Sequence, residues 1–204
     1  MKTCRVVELY TSKGVLSVEL YEKEAPREAE AFMRLAMSGQ LDGDTFHTLI
    51  PGCALVGTAG AASGRGTFGM LDAPCRQKKE TPVLRHVGAG LLSCPIAEGT
   101  VLASTFIVTL SPQPQLDEAY TVFGRIYKGM SLLRDLSIAQ VRDDFELVTP
   151  LTVKQCTVTN LPAADRPSVE EASAKTSEEV ALVPLCHVVR RVANSAWSCL
   201  VSEE

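Results

Sequence analysis

Short apolar runs separated by turn residues constrain this chain more than any other feature. In the run Val15–Tyr21, Leu16, Val18 and Leu20 alternate with polar neighbours, which is the period of a strand with one buried face. Similar runs recur between Gly-, Pro- and Ser-rich links, as in a closed or sandwiched β structure. Strands are predicted at Val6–Tyr10, Val15–Tyr21, Thr45–Ile50, Ala54–Gly57, Gly90–Cys94, Phe106–Leu110, Thr121–Ile126 and Thr152–Val158.

Two helices interrupt the strands. Pro26 suits a first helical turn and Gly39 a stop, so a helix is predicted over Arg27–Gly39. A second, shorter helix is predicted after Gly129. The residues that face inward in the two helices are Ala29, Phe32, Leu35 and Ala36 in the first, and Met130, Leu133 and Leu136 in the second.

Composition changes at Asn160, which divides the chain into a domain over 1–160, a linker over 161–167 and a helical tail over 168–204. Ser168 and Glu171 form a capping-box signal for one tail helix. A second tail helix carries an apolar stripe with Trp197 at its edge as a candidate anchor. The sequence leaves three alternatives for the surface against which this stripe packs. They are this chain's own barrel or first tail helix, a groove on another protein, and a membrane surface. The predicted partner-binding residues are Leu185, Val188, Val189, Val192, Ala196, Trp197 and Leu200.

Charge and cysteine usage exclude several classes of function. The net charge is -4 and the basic residues form no cluster, so nucleic acid is not expected as a direct partner. The seven cysteines are scattered and show no Cys-x-x-Cys spacing, which argues against a disulfide framework and a zinc site and favours a reducing compartment. No metal is expected from the three histidines, since none shows ligand spacing.

No targeting or membrane signal is visible in the sequence. The first residues lack both a signal-peptide apolar run and an Arg-rich transit segment, and no stretch is long and apolar enough to span a bilayer. We expect an intracellular location, cytoplasmic by default, with the nucleus or a cytoskeletal assembly as alternatives.

Four motifs follow one another in a fixed order between Val6 and Asn160. They are Lys13-Gly14 leading into Val18-Glu19-Leu20-Tyr21 and Ala25-Pro26; Thr45-Phe46-His47 before Ile50-Pro51-Gly52; Leu84 to Ser93; and Val122 to Ile126 before Gly129-Met130. In these motifs and in their order, the chain resembles the cyclophilin family. The resemblance implies a mainly β fold, a closed eight-stranded antiparallel barrel with two capping helices, to which this chain adds a C-terminal helical tail.

The activity implied by the resemblance is prolyl cis–trans isomerisation, which needs no cofactor. Its uncatalysed barrier of about 18–20 kcal/mol comes from amide resonance. The family grips the residues around proline in an apolar pocket and aims an arginine guanidinium at the twisting imide.

This chain departs from the family at the residues that carry that chemistry. Thr48 stands where the arginine would, and its short neutral hydroxyl cannot replace a guanidinium fork. The aromatic pocket wall, the amide that holds the peptide backbone and the indole that contacts cyclosporin are also replaced. The resemblance therefore implies a vestigial peptide groove formed by Thr48, Cys53, Ala54, Val56, Ile96, Ala97, Thr105, Ile107, Gln115, Leu116 and Tyr120.

From these departures we expect weak or no isomerase activity and no tight cyclosporin binding. The leading hypothesis is a protein-binding module in a larger assembly. The alternatives are an isomerase of low or client-specific activity and a structural spacer. His47 and His86 are interpreted as hydrogen-bonded structural histidines and Cys53 as a small apolar filler.

Overall fold

Nine strands and two α-helices make up the described part of the chain, which is residues 3–58, 84–97, 100–101 and 105–162 of a computed structural model. A single 3-10 turn, Pro114–Leu116, lies between the seventh and eighth strands. The strands are β1 Thr3–Thr11, β2 Gly14–Leu20, β3 Thr45–Ile50, β4 Ala54–Thr58, β5 Leu91–Ala97, β6 Thr100–Val101, β7 Thr105–Thr109, β8 Tyr120–Lys128 and β9 Glu146–Pro162; the helices are α1 Pro26–Met37 and α2 Met130–Ser137.

Eight of the strands close into a ring. The hydrogen-bonded order is β5-β7-β4-β3-β9-β1-β2-β8, and β8 pairs again with β5. Every pair in the ring is antiparallel. The two-residue β6 pairs with the end of β5 outside this ring. The predicted closed eight-stranded antiparallel barrel with two helices is thus confirmed.

Alternate residues of each strand fill the barrel interior, as the period-2 pattern predicts. Leu16, Val18 and Leu20 of β2 all belong to the buried core. Helix α1 adds Phe32, whose ring centroid lies 5.2 Å from that of Phe106 in an edge-to-face contact. The four core aromatic rings therefore join α1 to β3, β7 and β8, with Phe32 also against Phe123 and Phe46 against Phe106.

Glycine at position 129 allows β8 to turn directly into α2. Its φ is 99°, and a Cβ there would lie 2.7 Å from the carbonyl oxygen of Val15. A side chain at this position is therefore excluded both by backbone conformation and by the close approach of β2. Beyond it, α2 buries Leu133 and Leu136 as predicted, while Met130 is only partly buried.

The final strand is longer than the alternation predicts. β9 begins at Glu146 and runs to Pro162, which pairs with Thr3. The predicted linker thus starts within a strand. The remainder of the linker and the whole tail, 163–204, lie outside the described residues, so the partner-binding tail stays a prediction. Among the described helices, none has the length and apolar character needed to cross a bilayer.

A buried ion pair links β2 to β8 in the barrel wall. Glu19 and Arg125 are directly opposite in the strand register. Arg125 Nε lies 2.8 Å from Glu19 Oε2, and the side chains are 9% and 5% exposed. The sequence pattern assigned Glu19 only to a polar face, because its partner is 106 residues away.

Removing one member of this pair is expected to destabilise the barrel strongly. Glu19→Leu leaves a buried guanidinium without its carboxylate and should lower the free energy of unfolding by about 3–5 kcal/mol. The double variant Glu19→Leu/Arg125→Met should recover most of that loss, since no charge is left behind. Glu30→Ala, which breaks the exposed Glu30–Arg34 pair of α1, serves as the control and should change stability by less than about 0.5 kcal/mol. Urea unfolding measures all three, and a double variant no more stable than Glu19→Leu would contradict the assignment.

Candidate functional site

Three of the predicted groove residues, Thr48, Val56 and Ile107, lie on paired strands and do not belong to the core cluster of the barrel. Thr48 of β3 pairs with Val56 of β4, and Val56 pairs with Ile107 of β7. Ile107 in turn pairs with Ser93 of β5. Their chain neighbours, such as Leu55, belong to the core. Strand register therefore brings three of the predicted residues into one row across the paired strands.

Six of the predicted groove residues are buried, and we call this set the groove floor. It consists of Thr48, Cys53, Ala54, Val56, Ile107 and Leu116. Their exposed fractions are 5%, 2%, 0%, 3%, 1% and 2% respectively. Tyr120, at the start of β8, is also buried, whereas Gln115 is partly exposed. Water therefore has almost no access to the six side chains of the groove floor.

Three further predicted residues are placed by their backbone. Ile96 and Ala97 end β5, where they pair with Val101 and Thr100. Thr105 begins β7, two residues before Ile107 on the same strand, and pairs with Thr58. The structure thus keeps these positions on the strands that carry the groove floor.

A neutral hydrogen-bonded pair occupies the position where the family carries its arginine. His47 Nδ1 lies 2.6 Å from Thr48 Oγ1. A β-bulge shifts the register of β3 between Phe46 and Thr48 against both neighbouring strands. Burial lowers the pKa of His47, and the charge of Glu146 opposes this only in part. At neutral pH the pair therefore carries no positive charge.

The guanidinium of Arg142 lies beyond Glu146, on the exposed side of this pair. Glu146 faces Thr48 across the β3–β9 register. Its Oε2 is 3.3 Å from Arg142 Nη1, and both side chains are more than half exposed. This cation is thus bound to a surface carboxylate.

The loop between β7 and β8, residues 110–119, is anchored at its start to the β3–β4 turn. We call it the groove loop. The Leu110 N–H donates to the carbonyl of Cys53 at 2.7 Å. The Ser111 hydroxyl donates to the carbonyl of Gly52 at 2.6 Å. Two bonds therefore fix the loop against the edge of the groove floor.

The far end of the groove loop is held by His86. The backbone N–H and ring Nδ1 of His86 both donate to Asp117 Oδ1, each at 2.8 Å. The His86 carbonyl accepts from the Gln113 N–H at 2.8 Å. Sequence reasoning found the histidine but not these partners, because Asp117 is 31 residues away.

The pKa shifts of His86 and Asp117 favour a neutral imidazole beside an ionised carboxylate. Burial lowers the pKa of His86, although the hydrogen bond and charge of Asp117 act against that shift. Partial burial pushes the pKa of Asp117 upward, but the bonds from His86 outweigh it and the pKa lies below its usual value. His86 is thus a neutral Nδ1–H donor to an ionised carboxylate.

The thiol in the groove floor is not activated. Burial raises the pKa of Cys53 to about 12, so the thiolate is scarcely populated at neutral pH. Across the described ranges, no group of three or more His, Cys, Asp and Glu side chains could hold a metal ion. Among the described residues, the interactions seen at this surface are apolar burial and the neutral hydrogen bond between His47 and Thr48.

The closed eight-stranded antiparallel barrel with its two helices defines the class of fold, and the comparisons with known proteins identify its family. The family model described as cyclophilin type peptidyl-prolyl cis-trans isomerase matches residues 6–158. This chain belongs to that family.

Curated relatives cover most of the same region. A peptidyl-prolyl cis-trans isomerase of Schizosaccharomyces pombe is 33% identical over 147 residues, which is 72% of this chain and 94% of the relative. One of Arabidopsis thaliana is 34% identical over 134 residues, covering 66% of this chain and 81% of the relative.

The fold is shared with solved cyclophilins. A Cryptosporidium parvum cyclophilin type peptidyl-prolyl cis-trans isomerase superposes with a TM-score of 0.69 at 23% identity, covering 78% of this chain and 99% of that one. The same protein in the presence of the dipeptide Ala-Pro gives a TM-score of 0.66 at 24% identity and covers 76% and 98% of the two chains. At this identity the likeness establishes the fold.

Acidification below pH 6.5 is expected to destabilise the protein. The pKa values of His47 and His86 both lie below the ordinary value of 6.5 in the folded state. The stability they contribute is fully present above the unfolded pKa and is lost as pH falls toward the folded values, because the unfolded chain then binds protons that the folded chain does not. Each histidine can contribute a slope of up to about 1.4 kcal/mol per pH unit.

Urea unfolding at pH 7.5, 6.5, 5.5 and 5.0 measures this slope. His86→Asn keeps a donor toward Asp117 but cannot titrate, so its slope should be smaller than that of the unmodified protein. A free energy of unfolding that is constant or rises on acidification would contradict the neutral burial of both rings.

Proposed function

We propose that this chain is a cyclophilin-fold protein-binding module whose isomerase site is degraded, and that it acts within a larger protein assembly. The family supplies a barrel that presents a groove to extended peptide. This chain keeps that frame while replacing the groups that would twist a prolyl bond.

The observation that carries the proposal is the burial of the groove floor. Ile107 and Leu116 are among the side chains that would contact a proline ring, and both are almost inaccessible to solvent. A ring could reach them only after the floor opened, at the cost of contacts already made within the chain. Tight seating of proline is therefore disfavoured before any chemistry begins.

The electrostatics of the groove support the same conclusion. The isomerisation transition state needs a donor that strengthens its bond to the imide nitrogen as the bond twists. Thr48 instead shares a hydrogen bond with His47, and the exposed Arg142 is paired with Glu146. Loss of one preorganised donor typically costs about 10²–10³ in rate, so turnover should be slow at best.

The second candidate is an isomerase of low or client-specific activity. Its support is the family itself and the names of the curated relatives, which describe them as peptidyl-prolyl cis-trans isomerases.

Exchange NMR on short Xaa-Pro peptides separates the two candidates. With this protein at a tenth of the peptide concentration, we expect cis–trans exchange at the uncatalysed rate, on the order of tens to hundreds of seconds. A curated relative from Schizosaccharomyces pombe serves as the positive control. A rate close to that of the control would overturn the binding-module proposal, and a background rate on a client-derived peptide would remove the second candidate.

Restoring the arginine alone should not restore activity. Thr48→Arg introduces a guanidinium into a buried position between His47 and Val56, while the amide that would hold the peptide backbone is still absent at Val56. We expect the variant to remain at least about 10²-fold slower than a cyclophilin with an intact groove. Full rescue, measured by the same exchange experiment, would show that the groove floor is open.

Cyclosporin binding should be weak or undetectable. The ligand would have to contact a floor that is buried and a rim where Gln115 replaces the indole. Isothermal titration calorimetry with the full chain should detect no binding at micromolar concentrations, and a dissociation constant in the micromolar range or below would contradict the closed floor.

The surface that joins the assembly can be found by comparing two classes of variant in the native complex. If the tail is the binding element, deletion of Ser168–Glu204 abolishes incorporation and groove variants have no effect, which is also the outcome expected of a structural spacer. If the groove takes part, Gln115→Ala reduces incorporation while the tail is intact.

A further inference from the structure

Four consecutive hydrogen-bonding groups connect the β3–β4 turn to the rim of the groove. The Ser111 hydroxyl contacts the Gly52 carbonyl at 2.6 Å. Gln113 Nε2 lies 2.6 Å from Ser111 Oγ. The last group in this series of hydrogen bonds is the side-chain amide of Gln115, which donates to Gln113 Oε1.

The backbone carbonyl of Gly52 determines which group donates and which accepts in each of these hydrogen bonds. The oxygen of Gly52 can only accept, so the Ser111 hydroxyl must donate to it. The hydroxyl oxygen must then accept from Gln113, and the only donor on a glutamine side chain is its NH₂ group. The orientation of both amides thus follows from chemistry and does not depend on how oxygen and nitrogen were assigned.

Burial keeps this direction fixed. Gln113 is 4% exposed, so no surrounding water can satisfy an amide that has turned over. A reversed Gln113 would place its oxygen against Ser111 Oγ, two acceptors with no hydrogen between them once Ser111 donates to Gly52.

This fixed direction determines the orientation of the side-chain amide of Gln115, the last and partly exposed residue of the series. Its NH₂ group is directed at Gln113, so its carbonyl oxygen lies on the other side of the amide. Among the described residues, no group donates to that oxygen. The family's tryptophan at this position offers only an N–H donor, because an indole has no acceptor. The rim of the groove therefore gains an acceptor at Gln115, beside the second N–H of the same amide.

We propose that Gln115 is a specificity-determining residue that accepts a hydrogen bond from a backbone N–H of an extended polypeptide, and that Ser111 and Gln113 are positioning residues that set its orientation. The inference rests on the proposed function in taking the groove rim as a protein-binding surface. The bound class is an extended segment with an N–H at the rim, a group that a proline at that position would lack.

Backbone ester analogues test this preference one N–H at a time. The probes are acetyl-Ala-Ala-Pro-Ala-Ala-amide and a series in which a single peptide N–H is replaced by an ester oxygen. Binding to the full chain, labelled with ¹⁵N, is followed by chemical-shift titration. One replacement should weaken binding to the unmodified protein by about tenfold, the loss of one hydrogen bond to a fixed acceptor.

Three variants test whether this tenfold loss of affinity depends on the hydrogen bonds that link Gly52 to Gln115. Gln115→Leu should bind the parent peptide and its ester analogue equally. Ser111→Ala releases Gln113 from the Gly52 carbonyl, so both amides can turn over and the tenfold discrimination should fall to about twofold or less. Gln40→Leu, an exposed glutamine beyond the end of α1, is the matched control and should discriminate like the unmodified protein.

The result against the inference is an ester effect that is the same in the unmodified protein, Gln115→Leu and Ser111→Ala. Failure of every peptide in the series to bind at millimolar concentration would also overturn it. Exchange rates on the same peptides keep the two proposals apart: rapid isomerisation with an intact ester effect overturns the proposed function alone, whereas slow exchange with no ester effect overturns this inference alone.

Discussion

Closure of the barrel is the constraint on which the rest of this structure depends. Because β5 pairs with both β7 and β8, the ring has no free edge and the register of each strand is fixed by both neighbours. This register places Thr48, Val56 and Ile107 side by side. The same frame that forms a proline-binding groove in the family here supports a row of small and aliphatic side chains.

The threonine at position 48 and the burial of the groove floor are physically linked. A guanidinium at position 48 would need room and water around it, and neither fits a residue that is buried among Val56 and Ile107. Once that charge is absent, close apolar packing carries no desolvation cost. The groove loop is nevertheless held at both ends by polar bonds, through Ser111 to Gly52 and through Asp117 to His86. The loop is thus bonded at both ends beside a floor of buried side chains.

The sequence predicted most of the fold because its strands alternate cleanly and its turns contain glycine or proline. It did not predict the early start of β9, since Glu146–Pro150 has no alternation and pairs with β3 through a bulge around His47. β6 was missed because two residues carry no period. In both cases the structure is decided by pairing between distant strands.

For the candidate site, the resemblance predicted the groove positions but could not predict how far their side chains are buried. Exposure of Val56 or Leu116 depends on how the whole surface packs, which no local pattern records. The bonds of His86 to Asp117 and of Ser111 to Gly52 join residues 31 and 59 positions apart. Such pairs have no signal in a single sequence. Which groups donate and which accept in the hydrogen bonds of Ser111, Gln113 and Gln115 likewise follows only from the position of the Gly52 carbonyl in the fold.

The central claim is that the floor of the groove is packed shut, and the thiol of Cys53 reports on it directly. Its burial raises its pKa to about 12, so both access and thiolate content should protect it. Alkylation by iodoacetamide at pH 8, mapped to Cys53 by peptide mass spectrometry, should proceed at least about a hundredfold more slowly in the folded protein than in urea. Modification of Cys53 at the rate of the unfolded chain would show an open groove and contradict the account.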